Sequence, residues 1–207
     1  MRRKEFTIEQ EAEIEAFLAE KTYGFLGTIS VDGDPHITPL NFVYDNGYVY
    51  FHGSLAGEKM KHLKAKTRVS FNVAEEYALI PSYFSDPLLA CPATAYFKSV
   101  TVFGHAEKVS DPSEKAKALS LFMNKLQPEG GYTPIIANDA LYKGQLKAVA
   151  VIRIVPDRVT AKFKFGQNLE QSKHEKVQAL LEERGTNKDV ETAELMRKFC
   201  PFHTDLT

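Results

Sequence analysis

Ser54, Gly57 and Lys59 bring a hydroxyl, a glycine and an ammonium close together in the run G-S-L-A-G-E-K, a combination suited to holding an anion. The run lies where the apolar segment Tyr48 to His52 gives way to E-K-M-K-H-L-K-A-K, in which Met60 and Leu63 have helical spacing. The first backbone N–H groups of a helix have no intrahelical acceptor, so a strand-to-helix junction of this kind can cradle a phosphate. The same residues would equally serve an ordinary helix start capped by Ser54, with Lys59 in solvent, and spacing alone favours that plainer reading. His52, just upstream, can donate a hydrogen bond and shuttle a proton during two-electron chemistry, although a histidine satisfied at a strand end is the simpler account. No G-x-S-x-G turn surrounds Ser54, which argues against a hydrolytic nucleophile. His36, His62, His105, His174 and His203 show neither H-x-x-x-H nor H-E-x-x-H spacing, and Cys200-x-x-His203 alone is weak, so no structural zinc is expected.

These residues are positioned by a hairpin. Leu40 to Tyr44 and Tyr48 to His52 flank Asp45-Asn46-Gly47, and Asn-Gly supplies the positive φ values of a tight turn. An earlier hairpin pairs a strand from Tyr23, of period two, with His36 to Tyr44 across Asp32-Gly33-Asp34-Pro35. Pro39 cannot donate a ladder hydrogen bond, so its position is expected to face an edge, a bulge or a gap in the sheet.

At this hairpin the chain resembles the pyridoxamine 5'-phosphate oxidase-like flavoproteins. The G-S-x-x-G-x-K-x-x-x-L run from Gly53 to Leu63 is similar to the family segment that lies along FMN and holds its phosphate. Tyr96 to Ala106 (Y-F-K-S-V-T-V-F-G-H-A) resembles the Y-R-S-V-x-x-F-G-x-A strand of the nitroimidazole-reductase branch, the nearest branch by these motifs. Lys162 to Asn168 (K-F-K-F-G-Q-N) resembles the barrel end of the branch that includes FMN-binding negative transcriptional regulators. The three blocks and the strands between them cover most of residues 5 to 170.

The resemblance implies a mainly β fold with flanking helices, an antiparallel six-stranded FMN-binding split β-barrel that forms a homodimer with FMN at the interface. It implies that Thr38, Pro39, Leu40, Asn41 and Phe42 run along the isoalloxazine, with Phe51, His52, Gly53, Ser54 and Lys59 toward the phosphate and Lys98 and Ser99 as further cofactor contacts. Lys98 stands where the family pattern has arginine, which keeps the charge and loses the planar bidentate donor. His52 matches a region in which that branch carries a histidine implicated in catalysis. The activity implied is that of an FMN-dependent oxidoreductase passing electrons to a small nitroaromatic, quinone or related acceptor. A non-catalytic FMN-binding or regulatory module, and a split barrel holding haem or a deazaflavin, are the alternatives. Pyridoxamine-phosphate oxidation itself is disfavoured, because the arginine and histidine pattern of that family's C-terminus is not apparent.

The 207 residues are 43% hydrophobic, enough for one single-domain core, with C-terminal helices from about residue 169. A formal charge of −1 excludes a broadly basic surface, and no nucleic-acid partner is expected. The N-terminus does not read as a signal peptide and no apolar run reaches spanning length, so a cytoplasmic protein without a membrane partner is expected. Cys91 and Cys200 are expected to be reduced.

Thr7 and Gln10 suggest a capping box for a helix ending at Glu20. Arg68 to Ala74 reads as a strand, followed by an irregular segment through Pro81, Pro87 and Pro92 whose aromatic residues either form an interface loop or cover the core. A strand from about Ala95 to Val109, a helix from Ser113 to Leu126, strands over Leu146 to Val155 and Val159 to Phe165, a helix capped by Asn168 and ended by Gly185, and a short helix to Phe199 complete the expectation.

Overall fold

The computed structural model describes residues 3–202. In chain order the elements are β1 (Thr7–Ile8), α1 (Glu11–Glu20), β2 (Tyr23–Ile29), β3 (Pro35–Asn41), β4 (Val43–Asp45), β5 (Tyr48–Ser54), α2 (Glu58–Ala65), β6 (Arg68–Ile80), β7 (Thr94–Lys108), α3 (Pro112–Leu126), α4 (Ala140–Ala148), β8 (Val149–Lys164), α5 (Gln171–Arg184) and α6 (Asn187–Lys198), with 3₁₀ turns at Lys4–Phe6 and Ser82–Phe84. The strands form one sheet in the order β3-β2-β6-β7-β8-β5-β4, and β1 pairs with β8. Every pairing with a defined register is antiparallel.

β3 and β4 are the two ends of that order, yet only Phe42 separates them in the chain. Phe42 is buried and its N–H donates to the Thr22 carbonyl, so the backbone passes from one sheet edge to the other where no ladder does. With β3 and β4 counted as one interrupted strand and the two-residue β1 set aside, six strands build an antiparallel split barrel with flanking helices, as the sequence predicts. Pro39 lies on the edge strand β3, where its missing N–H costs no ladder bond.

The strands run through two compact units. The larger comprises residues 10–73 and 100–160 and holds β2 to β5, α1 to α4 and parts of the three long strands. Asn46 (φ 49°) and Gly47 (φ 84°) make the tight turn between β4 and β5. α3 starts where Asp111 accepts from the N–H groups of Ser113 and Glu114 and Pro112 takes the first helical position. Its Ala118 and Phe122 pack with Val43, Tyr50, Val109 and Val151 in one apolar cluster. On β2, Leu26 and Thr28 are buried while Tyr23 and Phe25 are exposed.

The other unit comprises described residues 3–9, 74–99 and 161–202. Its core holds Tyr77, Tyr96, Phe163, Phe165, Val177, Leu181 and Met196, and Phe165 stacks on Phe199 at 5.7 Å between ring centroids. α5 ends at Gly185 in the left-handed conformation (φ 65°), as expected, and α6 opens with a capping box between Thr186 and Asp189. In the aromatic segment Phe84 is buried and Tyr83 exposed.

Five expectations about elements are corrected. Thr7 belongs to β1, and α1 starts at a Gln10 N-cap without a side-chain cap bond, because pairing with Lys162 takes Thr7 into a strand. Leu146 lies in the last turn of α4, a helix hidden from sequence by its short, polar-rich pattern, and β8 begins at Val149. Pro156 does not divide β8, which runs for 16 residues from Val149 to Lys164. Asn168 caps nothing; Glu170 is the N-cap of α5. β6 also continues past Ala74 to Ile80. Among the described residues no helix is long and apolar enough to cross a membrane.

Candidate functional site

β5 and α2 meet at the candidate anion site. β5 pairs with β8 up to Ser54↔Val149, and the chain turns into α2 through Gly57, whose φ of 117° and ψ of 171° suit glycine. Gly57, not Ser54, is the N-cap, and no side chain caps the helix. The Ser54 hydroxyl instead accepts from the Ala56 N–H at 3.2 Å, which tightens the bend. The first N–H groups of α2 are therefore left without side-chain acceptors.

Lys59 turns back from the first turn of α2 toward β5. Its ammonium lies 5.1 Å from the Phe51 ring centroid. A Cβ placed on Gly53 would stand 3.5 Å from Lys59 Nζ, so the glycine provides the hollow beside the charge. Among the described residues no carboxylate pairs with Lys59, and burial alone pushes its pKa below the usual lysine range. A desolvated ammonium without a counter-ion gains from any anion that reaches it.

His52, two residues before Ser54, is exposed overall, but its ring packs edge-on against Phe122 at 4.7 Å. That partial burial, followed by the positive charge of Lys59, holds its pKa below 6.5. The imidazole is thus neutral near pH 7, and once charged it is a stronger acid than an ordinary histidine.

On β3 the predicted cofactor strand divides by side. Leu40 and Phe42 are core residues and Thr38 is half-buried, whereas Pro39 and Asn41 are exposed. Asn41 Nδ2 donates to the Thr22 carbonyl at 3.1 Å, and Pro39 and Asn41 lie opposite the exposed Phe25 and Tyr23 of β2. A flat ring laid on this face would meet Pro39, Asn41 and backbone, while Leu40 and the adjoining Phe42 are buried in the core. Lys59, Gly53 and the start of α2 could hold a phosphate, and the open face at Pro39 and Asn41 could take a flat ring, a donor set compatible with a flavin nucleotide.

Lys98 and Ser99 belong to the smaller unit. There the Lys98 ammonium lies over the rings of Tyr77 and Phe163, each at 5.2 Å. The same unit contains a feature the sequence did not single out as a pocket, a cavity of about 590 Å³ lined by Arg3, Lys162, Lys164 and Lys173 together with Tyr96 and Asn168. Lys164 donates to Thr94 Oγ1, and burial, then Lys162 and Arg3, lower its pKa. Lys162, Lys164 and Asn168 all fall in the K-F-K-F-G-Q-N block, so the motif was visible in sequence while its partners from the N-terminus and α5 were not. In the larger unit His36 of β3 comes together with Glu58 and His62 of α2, a meeting that the spacing of the latter two does not announce. His203 lies outside the described residues.

A family model described as pyridoxamine 5'-phosphate oxidase matches residues 10–163. No curated protein sequence matches at a significant level. Among solved structures, a candidate 5-nitroimidazole antibiotic resistance protein from Bacteroides thetaiotaomicron is 23% identical, with 75% of this chain and 85% of that one covered at a TM-score of 0.61. A flavocytochrome from Azotobacter vinelandii is 24% identical, covering 78% of this chain and 70% of its own at 0.64. An FAD- and haem-binding protein from Mycobacterium smegmatis is 16% identical, covering 77% and 74% at 0.61. At such identities the likeness to solved structures is one of fold, and it agrees with the split barrel seen here. The family match spans well over half of the sequence, from α1 to the far part of β8, and on that ground the chain belongs to the pyridoxamine 5'-phosphate oxidase family.

Proposed function

We propose that the protein binds FMN and acts as an oxidoreductase on a small nitroaromatic, quinone or related acceptor, with two copies of the chain enclosing the cofactor. The observation that carries this reading is Lys59: a half-buried ammonium without an acidic partner among the described residues, set beside Gly53 at the start of α2. When bound, FMN would supply the two-electron chemistry, and the protein would supply binding, orientation and a proton. Lys59 and the free N–H groups of α2 hold the phosphate, the exposed edge of β3 presents backbone groups and Asn41 to the ring, and the buried Leu40 and Phe42 anchor that strand in the core. His52 is the group placed to pass a proton at the phosphate-side end of β5.

The absorption spectrum of the purified protein tests the cofactor. Flavin maxima at one equivalent per chain, released on denaturation as FMN, support the proposal. A Soret band would instead establish haem, and FMN that binds without accelerating acceptor reduction over free FMN would make the protein a binding or regulatory module.

A further inference from the structure

We propose that His36, Glu58 and His62 form a binding site for a divalent transition-metal ion of the zinc type, separate from the residues assigned to FMN. One ligand atom from each of the three lies within 4.8 Å of the others. Glu58 and His62 are four apart at the start of α2, so they stand on one face of the helix, and His36 comes from β3. The two imidazole rings lie 4.6 Å apart between centroids, inclined at 53°. In a tetrahedral zinc site with bonds of about 2.0–2.1 Å the ligand atoms stand about 3.4 Å apart, so rotation of side chains by about an ångström would close the set. Glu58 is exposed and His36 half-exposed, which leaves both free to make that adjustment, while His62 is buried and fixed.

His62 is also oriented as a ligand needs to be. Its Nδ1 lies 3.1 Å from Thr28 Oγ1, and Thr28 is itself buried on β2. With Nδ1–H donating to that hydroxyl, the lone pair is on Nε2, and the hydroxyl holds the ring in place as an outer partner does in metal sites. The three residues open into a cavity of about 400 Å³ that Ser30, Asp32, Asp34 and Lys61 also line, so water or a further carboxylate can complete the coordination. Two imidazoles and one carboxylate select zinc, cobalt or nickel over magnesium or calcium, which prefer all-oxygen shells. The ligands come from β3 and from two positions of α2, and the ion would therefore tie the helix that begins the phosphate site to the edge strand.

The test uses the full-length protein, freed of metal by chelation, titrated with zinc chloride by calorimetry and with cobalt(II) followed by its visible absorption. The expected result is one zinc ion per chain, a tetrahedral-type cobalt spectrum and a zinc-dependent rise in melting temperature. Glu58→Gln and His36→Ala alter accessible side chains, and each should weaken zinc binding at least about tenfold, while His105→Ala should leave it unchanged. Absence of zinc binding at about 0.1 mM, or equal affinity in wild type, Glu58→Gln and His36→Ala, would overturn the proposal. Binding abolished by Cys200→Ser but retained by His36→Ala would place zinc elsewhere and overturn it equally.

Discussion

Lys59 and His52 carry the functional reading between them, and each can be tested alone. Lys59 has burial working against its charge and no carboxylate among the described residues to offset it. Lys59→Ala should therefore cost FMN affinity about ten- to a hundredfold, the worth of one charge-assisted contact of about 1.5–3 kcal/mol, as read by fluorescence titration. Unchanged affinity would remove Lys59 from the phosphate site. For His52, acceptor reduction per bound flavin should fall about 10²- to 10⁴-fold in His52→Ala if the imidazole passes the proton, and by little if it only fills space against Phe122.

The depressed pKa of His52 also has a consequence for stability. As pH falls through 6.5 the unfolded chain takes up the proton before the folded chain does. The stability associated with a neutral His52 is thus whole above that pH and is lost as pH falls toward the lower folded value. His52→Gln should flatten this part of the curve of urea midpoint against pH, and an unaltered slope between about pH 7 and 5 would contradict it.

Elements in this molecule depend on where one backbone lets another approach. Gly104 on β7 is such a point, since a Cβ there would fall 2.0 Å from the Val155 carbonyl oxygen and 3.0 Å from Pro156 Cα. The absent side chain lets β8 pass Pro156 without breaking, which is why a proline that reads as a turn lies inside a strand. Gly104→Ala forces two backbones apart and should lower unfolding free energy by about 3 kcal/mol, measured by urea denaturation. The turn at Asn46-Gly47 and the Asp111-Pro112 start of α3 are local devices that hold wherever the chain is placed, and both stand where the sequence puts them.

For the whole molecule the proposal requires a second copy. Tyr23, Phe25 and Ile37 are exposed on β2 and β3, Ile37 to 74%, beside the strand face assigned to the flavin ring. An apolar strip of this kind is costly in water, and covering it would also enclose the ring. Multi-angle light scattering should give twice the 23.3 kDa chain mass, and Ile37→Asp should produce folded monomers that release FMN. A wild-type monomer that retains FMN would dismiss the shared site.

The hairpins, the strand-to-helix junction at Gly53 to Lys59, the edge position of Pro39 and the helix end at Gly185 were legible in sequence, because each rests on backbone preferences of a few neighbouring residues. Thr7 misled because its competing partner lay far away on β8, and Leu146 because the short, polar-rich pattern of α4 concealed the helix that holds it in its last turn. Tertiary structure alone decided that Leu40, Phe42 and Phe51 are buried while Pro39 and Asn41 are exposed, since the packing of the sheet sets which face of each strand is covered. Only the fold, too, could bring His36 to Glu58 and His62 or gather Arg3, Lys162, Lys164 and Lys173 around one cavity. Local sequence determines torsion preferences and the order of elements; which distant charges and ligands meet is settled by strand pairing and by the burial that drives it.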